Sequence, residues 1–133
     1  MALKIFVNGT FDLLHRGHLE LLRYAGYMGD LLVAIDSDRR VKELKGSHRP
    51  IINQDDRRYH LMSLRNVTNC TIFDSDEELD TIIKAYSPDV MVKGSDYDGQ
   101  PIIGSQHCKQ ILFFDRINDY STTKTVQDLS HRG

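Results

Sequence analysis

The chain has 133 residues, of which 40% are hydrophobic and 27% are charged, a composition typical of a globular domain with a full hydrophobic core. A formal net charge of -2 gives no electrostatic reason to expect a nucleic acid as partner. The sequence shows no signal-peptide pattern and no apolar stretch near the ~20 residues that span a bilayer. We therefore expect a cytoplasmic protein without a membrane partner, in which Cys70 and Cys108 are free, buried thiols.

Five short apolar runs, rich in β-forming residues, read as strands. They are residues 4–7, 31–35, 71–73, 90–92 and 111–114. The runs are nearly continuous in apolar residues, as in strands that are buried on both faces of a parallel sheet. Strands spaced by helical patterns indicate βαβ units. The predicted fold class is therefore α/β: a Rossmann-like single domain over residues 1–133, with a parallel sheet of about five strands flanked by helices.

Helical patterns fill the intervals between these runs. The first helix begins near Gly17 and ends at Gly29, where the chain turns into the second strand. Further helices are predicted at 55–66, with Leu61, Met62 and Leu64 facing inward, and at 76–87, where Pro88 marks the end. A last helix is expected to begin after Ser121, because Ser and Thr are good N-caps.

Polar residues cluster directly after the predicted strands. Ligands of parallel sheets bind beyond the carboxyl ends of the strands, near helix N-termini. We therefore expect a single site at that edge of the sheet. The segments that would form it are 8–12, 36–38, 93–97, 115–116 and 121–123.

The first of these segments leads into two histidines, His15 and His18, separated by an arginine and Gly17. The common dinucleotide, P-loop and nucleophile-elbow motifs are absent from the sequence. Glycines at 9 and 17 allow the backbone to approach a ligand closely, and the start of a helix attracts an anion. With Lys45, Arg57, Arg116 and a second helix start at 121–124, the pattern suggests a clamp for a triphosphate.

Each of these features also has an ordinary structural interpretation. The histidines could bind zinc or decorate the surface, although the histidines at 48, 60, 107 and 131 show no metal-ligand spacing with them. The basic stretch at 39–58 could be a solvated surface, and Lys45-Gly46 an exposed loop. Asp96 and Asp98 could be turn residues, and 121–123 a plain helix cap. Their joint occurrence at one edge favours a binding site.

Three motifs carry a family resemblance: Gly9-Thr10-Phe11-Asp12, His15-Arg16-Gly17-His18 and Tyr120-Ser121-Thr122-Thr123. Together they resemble the cytidylyltransferase-like branch of the HxGH nucleotidyltransferases. Within it, the sequence is most similar to the adenylyltransferase domain of bifunctional ADP-heptose synthases, and next to glycerol-3-phosphate cytidylyltransferase. The first likeness continues at 37–38, 42–46, 49–50, 88–89, 92–97 and 103–105, so it covers essentially the whole chain.

The resemblance implies that a sugar or polyol phosphate attacks the α-phosphate of a nucleoside triphosphate, bound with Mg²⁺, and that pyrophosphate leaves. It implies no identified metal ligand, and it suggests a homodimer. The implied catalytic residues are His15, His18, Lys45 and Arg116. Nucleotide binding is implied for Gly9, Thr10, Phe11, Gly17, Lys93, Gly94, Asp96, Tyr97, Tyr120, Ser121, Thr122 and Thr123. Substrate binding is implied for Asp12, Asp38 and Arg57.

The physics of such a transfer agrees with these roles. The attacking phosphate is already ionised at neutral pH, so positioning and charge neutralisation suffice without a strong general base. The leading hypothesis is transfer of AMP from ATP to a sugar phosphate such as heptose 1-phosphate. Two alternatives remain open: a CTP-dependent glycerol-3-phosphate or related alcohol-phosphate cytidylyltransferase, and a non-catalytic nucleotide-binding module.

Overall fold

The strands and helices alternate through residues 2–115, the part of the chain that the structure, a computed structural model, describes. The strands are β1 (Leu3–Gly9), β2 (Gly29–Asp36), β3 (Asn69–Phe73), β4 (Val90–Gly94) and β5 (Gln110–Phe114). The helices are α1 (Arg16–Met28), α2 (Asp38–Lys45), α3 (Gln54–Met62) and α4 (Asp76–Tyr86). All five predicted strands and three of the predicted helices are present, and the helix expected after Ser121 lies outside the described residues.

The five strands form one parallel sheet in the order β3-β2-β1-β4-β5. The chain runs outward from β1 through β2 to β3, and then crosses back to β4 on the other side of β1. The carboxyl ends of β1 and β4 therefore border the point at which the strand order reverses, where open α/β sheets bind their ligands. The predicted α/β fold class is confirmed, and the topology singles out one part of the sheet edge.

Two hydrophobic layers cover the sheet. Alternation along β1 sends Ile5 and Val7 into one layer with α1 and α3, whereas Phe6 enters the other layer with α4. The same alternation continues to the strand ends. Asn8, Asp36 and Lys93 therefore fall on the α4 face, in step with Phe6, Ala34 and Met91.

Helix α2 was not predicted from the sequence, because its residues form a strongly polar run in which only Val41 is buried. Its signal is local instead: the side chain of Ser37 accepts a hydrogen bond from the backbone N–H of Arg40 and caps the helix. Because residues 38–45 form a helix, Arg40 and Lys45 of the basic stretch at 39–58 lie at the site and not only on a solvated surface.

The predicted helix at 55–66 is too long at its C-terminal end. Helix α3 ends at Met62, and Ser63 closes it by bonding back to carbonyls of the last turn. The expected inward position of Met62 is wrong, since 38% of that residue is exposed, whereas Leu61 is buried as predicted. No helix within residues 2–115 is both long and apolar enough to cross a membrane.

Candidate active site

A pocket of about 410 Å³ opens at the carboxyl edge of the sheet, where the sequence predicts a site. It includes both sides of the point where the strand order reverses. Ten of the predicted site residues line it: Gly9, Thr10, Phe11, His15, Gly17, His18, Lys45, Lys93, Gly94 and Tyr97. The structure thus brings together residues that lie up to 88 positions apart in the chain, as Gly9 and Tyr97 do.

His15 and His18 cap the helix on which they stand. The Nδ1 atom of His15 accepts from the backbone N–H of Gly17 at 3.1 Å, and that of His18 accepts from the N–H of His15 at 3.3 Å. The two rings stack with centroids 3.8 Å apart. A neutral imidazole whose Nδ1 accepts a hydrogen bond carries its proton on Nε2. The helix start therefore sets the tautomer of both rings and makes each Nε2–H a donor.

Glycine at position 9 is favoured by its neighbour Phe11. A Cβ atom at position 9 would lie 3.0 Å from Cε2 of Phe11, so the ring would have to shift by a few tenths of an ångström to admit it. Phe11 itself has a positive φ of 52°, and its ring lies 5.2 Å from that of His18. Close approach of a ligand is therefore not the only reason for glycine here: the residue also makes room for the aromatic ring that packs against the histidine pair.

Lys93 links the ends of β1 and β4. Its Nζ donates to Oδ1 of Asn8 at 2.8 Å and lies 4.9 Å from the ring centroid of Tyr97. The residue is 9% exposed, and this burial lowers the pKa of the Lys93 ammonium to about 8, against the opposing charges of Asp36 and Asp96. An anion in the pocket would offset that desolvation and favour the charged form.

Lys45 reaches the pocket because α2 forms. Burial, and then the neighbouring charge of Arg49, lowers the pKa of the Lys45 ammonium, while Asp36 and Asp12 act in the opposite direction. A phosphate near Lys45 would reverse this effect. Lys45 is exposed and Lys93 is buried, and two lysines with lowered pKa values that line one pocket indicate an anionic ligand.

Asp12 lies behind the pocket wall, where its carboxylate is fully engaged by the protein. It accepts from Nε of Arg49 at 3.0 Å and from the backbone N–H groups of Ile51 and Ile52 at 2.8–3.0 Å. Both of its oxygens are used, so the carboxylate fastens residues 49–52 to the end of β1. The sequence predicts Asp12 at the substrate, and the structure gives it this supporting position instead.

Arg57 occupies a similar position. Its side chain is completely buried and donates to the carbonyl oxygens of Ile52, Thr10 and Asp36 at 2.8–2.9 Å. Nη2 also pairs with Oδ1 of Asp38 at 2.8 Å. Neither Arg57 nor Asp38 lines the pocket, although both are predicted at the substrate. The structure instead makes Arg57 a clamp between the loop ends of β1 and β2.

The remaining predicted residues are less informative. Asp96 lies in a short turn at 95–97 and is not part of the pocket lining. Arg116, Tyr120, Ser121, Thr122 and Thr123 lie outside the described residues, so their assigned roles stay predictions. Within residues 2–115, no group of three or more acidic, histidine or cysteine side chains could hold a metal ion.

Several lining residues have no role predicted from the sequence. Asn8 and Asp36 belong to the segments 8–12 and 36–38, which the sequence predicts at the site because ligands bind beyond strand ends, but no individual function is predicted for them. Arg40 was hidden because its helix was not predicted. Nothing in the sequence distinguishes the apolar lining residues from ordinary core residues. They include Leu44, Phe73, Leu79, Pro101, Ile102 and Ile103.

Comparison with known proteins places this site in a family. The profile of the family described as cytidylyltransferase-like matches residues 6–128. The chain is 42% identical over 126 residues to the bifunctional protein HldE of Campylobacter fetus, and 44% identical over 124 residues to that of Nitratiruptor. These matches include 94% and 92% of this chain but only 27% of each relative, so the chain spans about a quarter of their length.

A solved structure shares the fold. The lipopolysaccharide core biosynthesis protein from Thermoplasma volcanium superposes with a TM-score of 0.66, over 90% of this chain and 98% of that one. At 23% identity, this likeness speaks for the Rossmann-like architecture alone.

Proposed function

Because the chain belongs to the cytidylyltransferase-like family and is a nucleotidyltransferase, we propose that it transfers AMP from ATP to a sugar phosphate, such as heptose 1-phosphate, and releases pyrophosphate. The likeness to the bifunctional HldE proteins, together with the resemblance to the adenylyltransferase domain of ADP-heptose synthases, supports ATP and a sugar phosphate as substrates. Mg²⁺ would enter with the triphosphate.

The histidine pair at the start of α1 carries this proposal. Both rings line the pocket, and their caps leave Nε2–H as the donor of each neutral ring. The first amides of α1 and the positive end of its dipole add to the same field. Donors held in place before the reaction stabilise charge that grows on an α-phosphate in the transition state. The α-phosphate would therefore lie at the start of α1.

The lysines complete the neutralisation of charge. Lys45 and Lys93 line the same pocket, and burial lowers the pKa of each, so a bound phosphate stabilises their charged forms. The acceptor's own phosphate is the nucleophile, and it needs no base because it is already ionised at neutral pH. Positioning and electrostatic stabilisation then supply the catalysis.

Pyrophosphate release from ATP, measured with a panel of sugar phosphates, tests the proposal. We expect release with at least one hexose or heptose 1-phosphate, and almost none from the His18→Ala variant with the same acceptor. CTP and glycerol 3-phosphate form the comparison arm. Release there and not with ATP would make the protein a cytidylyltransferase, and tight ATP binding without release for any acceptor would make it a binding module.

A further inference from the structure

The pocket has two sides that differ in chemistry. The α1 side carries His15 and His18. The α4 side carries Asn8, Asp36 and Lys93, which strand alternation sends to the α4 face of the sheet. If the α-phosphate lies at the start of α1, an acceptor whose phosphate attacks it can extend its carbon chain along the α4 side, past Lys93.

Asp36 is held in place on the α4 side. Its Oδ2 accepts from Nε of Arg40 at 3.0 Å, and Nη2 of Arg40 also pairs with Oδ1 of Asp76 at 2.6 Å. The Arg40 guanidinium further lies 5.2 Å from the ring centroid of Phe73. Asp36 and Arg40 both line the pocket, and Asp36 is only 7% exposed. A carboxylate with so little freedom presents a fixed acceptor to the ligand.

The charge of Asp36 is balanced on the same side of the pocket by Arg40 and Lys93, so the carboxylate does not by itself exclude a phosphate. A hydroxyl group can donate to a carboxylate and forms a charge-assisted hydrogen bond. Leu79 and Ile102 provide apolar surface on the same side, suited to the carbon skeleton of a ligand. The α4 side therefore fits the hydroxyl-bearing part of a sugar or polyol.

We propose that Asp36, positioned by Arg40, is a specificity-determining residue that accepts a hydrogen bond from a hydroxyl of the acceptor. The substrate class that follows is a phosphate ester whose carbon chain carries free hydroxyls away from the reacting phosphate. This inference rests on the proposed function, because it needs the acceptor to occupy the α4 side.

The test compares the best acceptor of the wild-type enzyme with its single-deoxy analogues, at saturating ATP. For the wild type, loss of the recognised hydroxyl lowers kcat/KM by about ten- to a hundredfold, the range for a hydrogen bond to a charged group. In Asp36→Ala, kcat/KM for the intact acceptor falls to the value for that analogue. The ratio of the two kcat/KM values, intact acceptor over deoxy analogue, is then near one. Asp36→Asn keeps the size of the side chain and gives an intermediate ratio, and it replaces the alanine variant if that variant does not fold.

Asp76→Asn is the matched control. Asp76 pairs with the same arginine but is exposed and does not line the pocket, so this variant keeps the wild-type ratio. ATP affinity, measured by calorimetry, stays near wild type in Asp36→Ala, because the variant keeps the groups proposed to meet the nucleotide phosphates, His15, His18, Lys45 and Lys93.

Two results would overturn the inference while leaving the transferase intact. They are an unchanged ratio in both Asp36 variants, and a loss of ATP affinity larger than the loss of acceptor use. A wild-type enzyme that releases no pyrophosphate with any acceptor would instead overturn the proposed function, and this inference with it.

Discussion

The two sides of the pocket are held together by contacts that differ in sequence separation. On the α1 side, the histidines are three residues apart and cap their own helix through backbone N–H groups. On the α4 side, Asn8 and Lys93 bond across 85 positions, and Arg40, which holds Asp36, bonds to Asp76 across 36. The first side can form with a single helix, whereas the second exists only after the sheet has closed. The proposed phosphate site is therefore encoded locally, whereas the proposed acceptor site is made by tertiary structure.

Arg57 joins the two sides, and its removal is expected to have the largest effect on stability. Arg57→Ala leaves the carbonyls of Thr10 and Asp36 and the Asp38 carboxylate without their donor. Breaking a buried ion pair by removing one partner costs about 3–5 kcal/mol in free energy of unfolding, which urea titration measures. Arg39→Ala, at an exposed ion pair, should change little. A loss in Arg57→Ala no larger than in this control would show that the two sides do not depend on the clamp.

His18→Ala tests the α1 side alone. Loss of one preorganised donor should lower kcat by about 10²–10³ while the fold persists. His18→Asn separates capping from catalysis, since its amide oxygen can still accept from the N–H of His15 while the ring is lost. We expect the asparagine variant to recover thermal stability but not turnover. Recovery of both would mean that the ring matters only as a cap.

Titration of Lys93 makes the stability of the protein depend on pH. The pKa of Lys93 is about 8 in the folded protein, against 10.5 for an ordinary lysine, so the unfolded chain binds more protons between these values. Stability of the free protein should therefore rise from pH 8 to 10.5, by an amount on the order of 3 kcal/mol, and this rise should be absent from Lys93→Met.

The affinity for ATP should change with pH in the opposite direction to the stability. Protonated Lys93 attracts phosphate, so ATP affinity should fall as the pH rises through 8 in the wild type and stay flatter in Lys93→Met. Thermal unfolding with and without ATP, followed across pH 7–10, measures both trends. Parallel pH curves for the two proteins would show that Lys93 does not meet the nucleotide.

The smallest expected effect concerns the two free cysteines, one associated with each hydrophobic layer. Cys70 belongs to the layer of α1 and α3, whereas Cys108 packs against that of α4 and is only partly buried. Burial raises the pKa of the Cys70 thiol to about 11, so its reactive thiolate is scarce at pH 8. A thiol reagent should label Cys108 first, and mass spectrometry of the digested protein would show the order. Faster labelling of Cys70 would indicate that its layer opens more readily.

Prediction from the sequence succeeded where the signal was local. The strands were visible as apolar runs, and α1 as a periodic face followed by Gly29. The pocket-lining positions of His15, His18 and Gly17 followed from the same local pattern. Helix α2 was missed because a helix with one buried residue, Val41, has almost no apolar period. Because this helix was not predicted, neither the position of Arg40 in the pocket nor its ion pair with Asp36 was expected.

The sequence by itself determined the α/β architecture, the helix start that bears the histidine pair, and the family. Only the tertiary structure decided which of the charged residues predicted at the site face the pocket. Asp12 and Arg57 look like ligand-binding residues in the sequence, yet they are bonded to groups up to 40 and 47 positions away and lie behind the wall. The physical reason is that a buried charge needs partners, and only the folded chain determines whether the protein or the ligand supplies them.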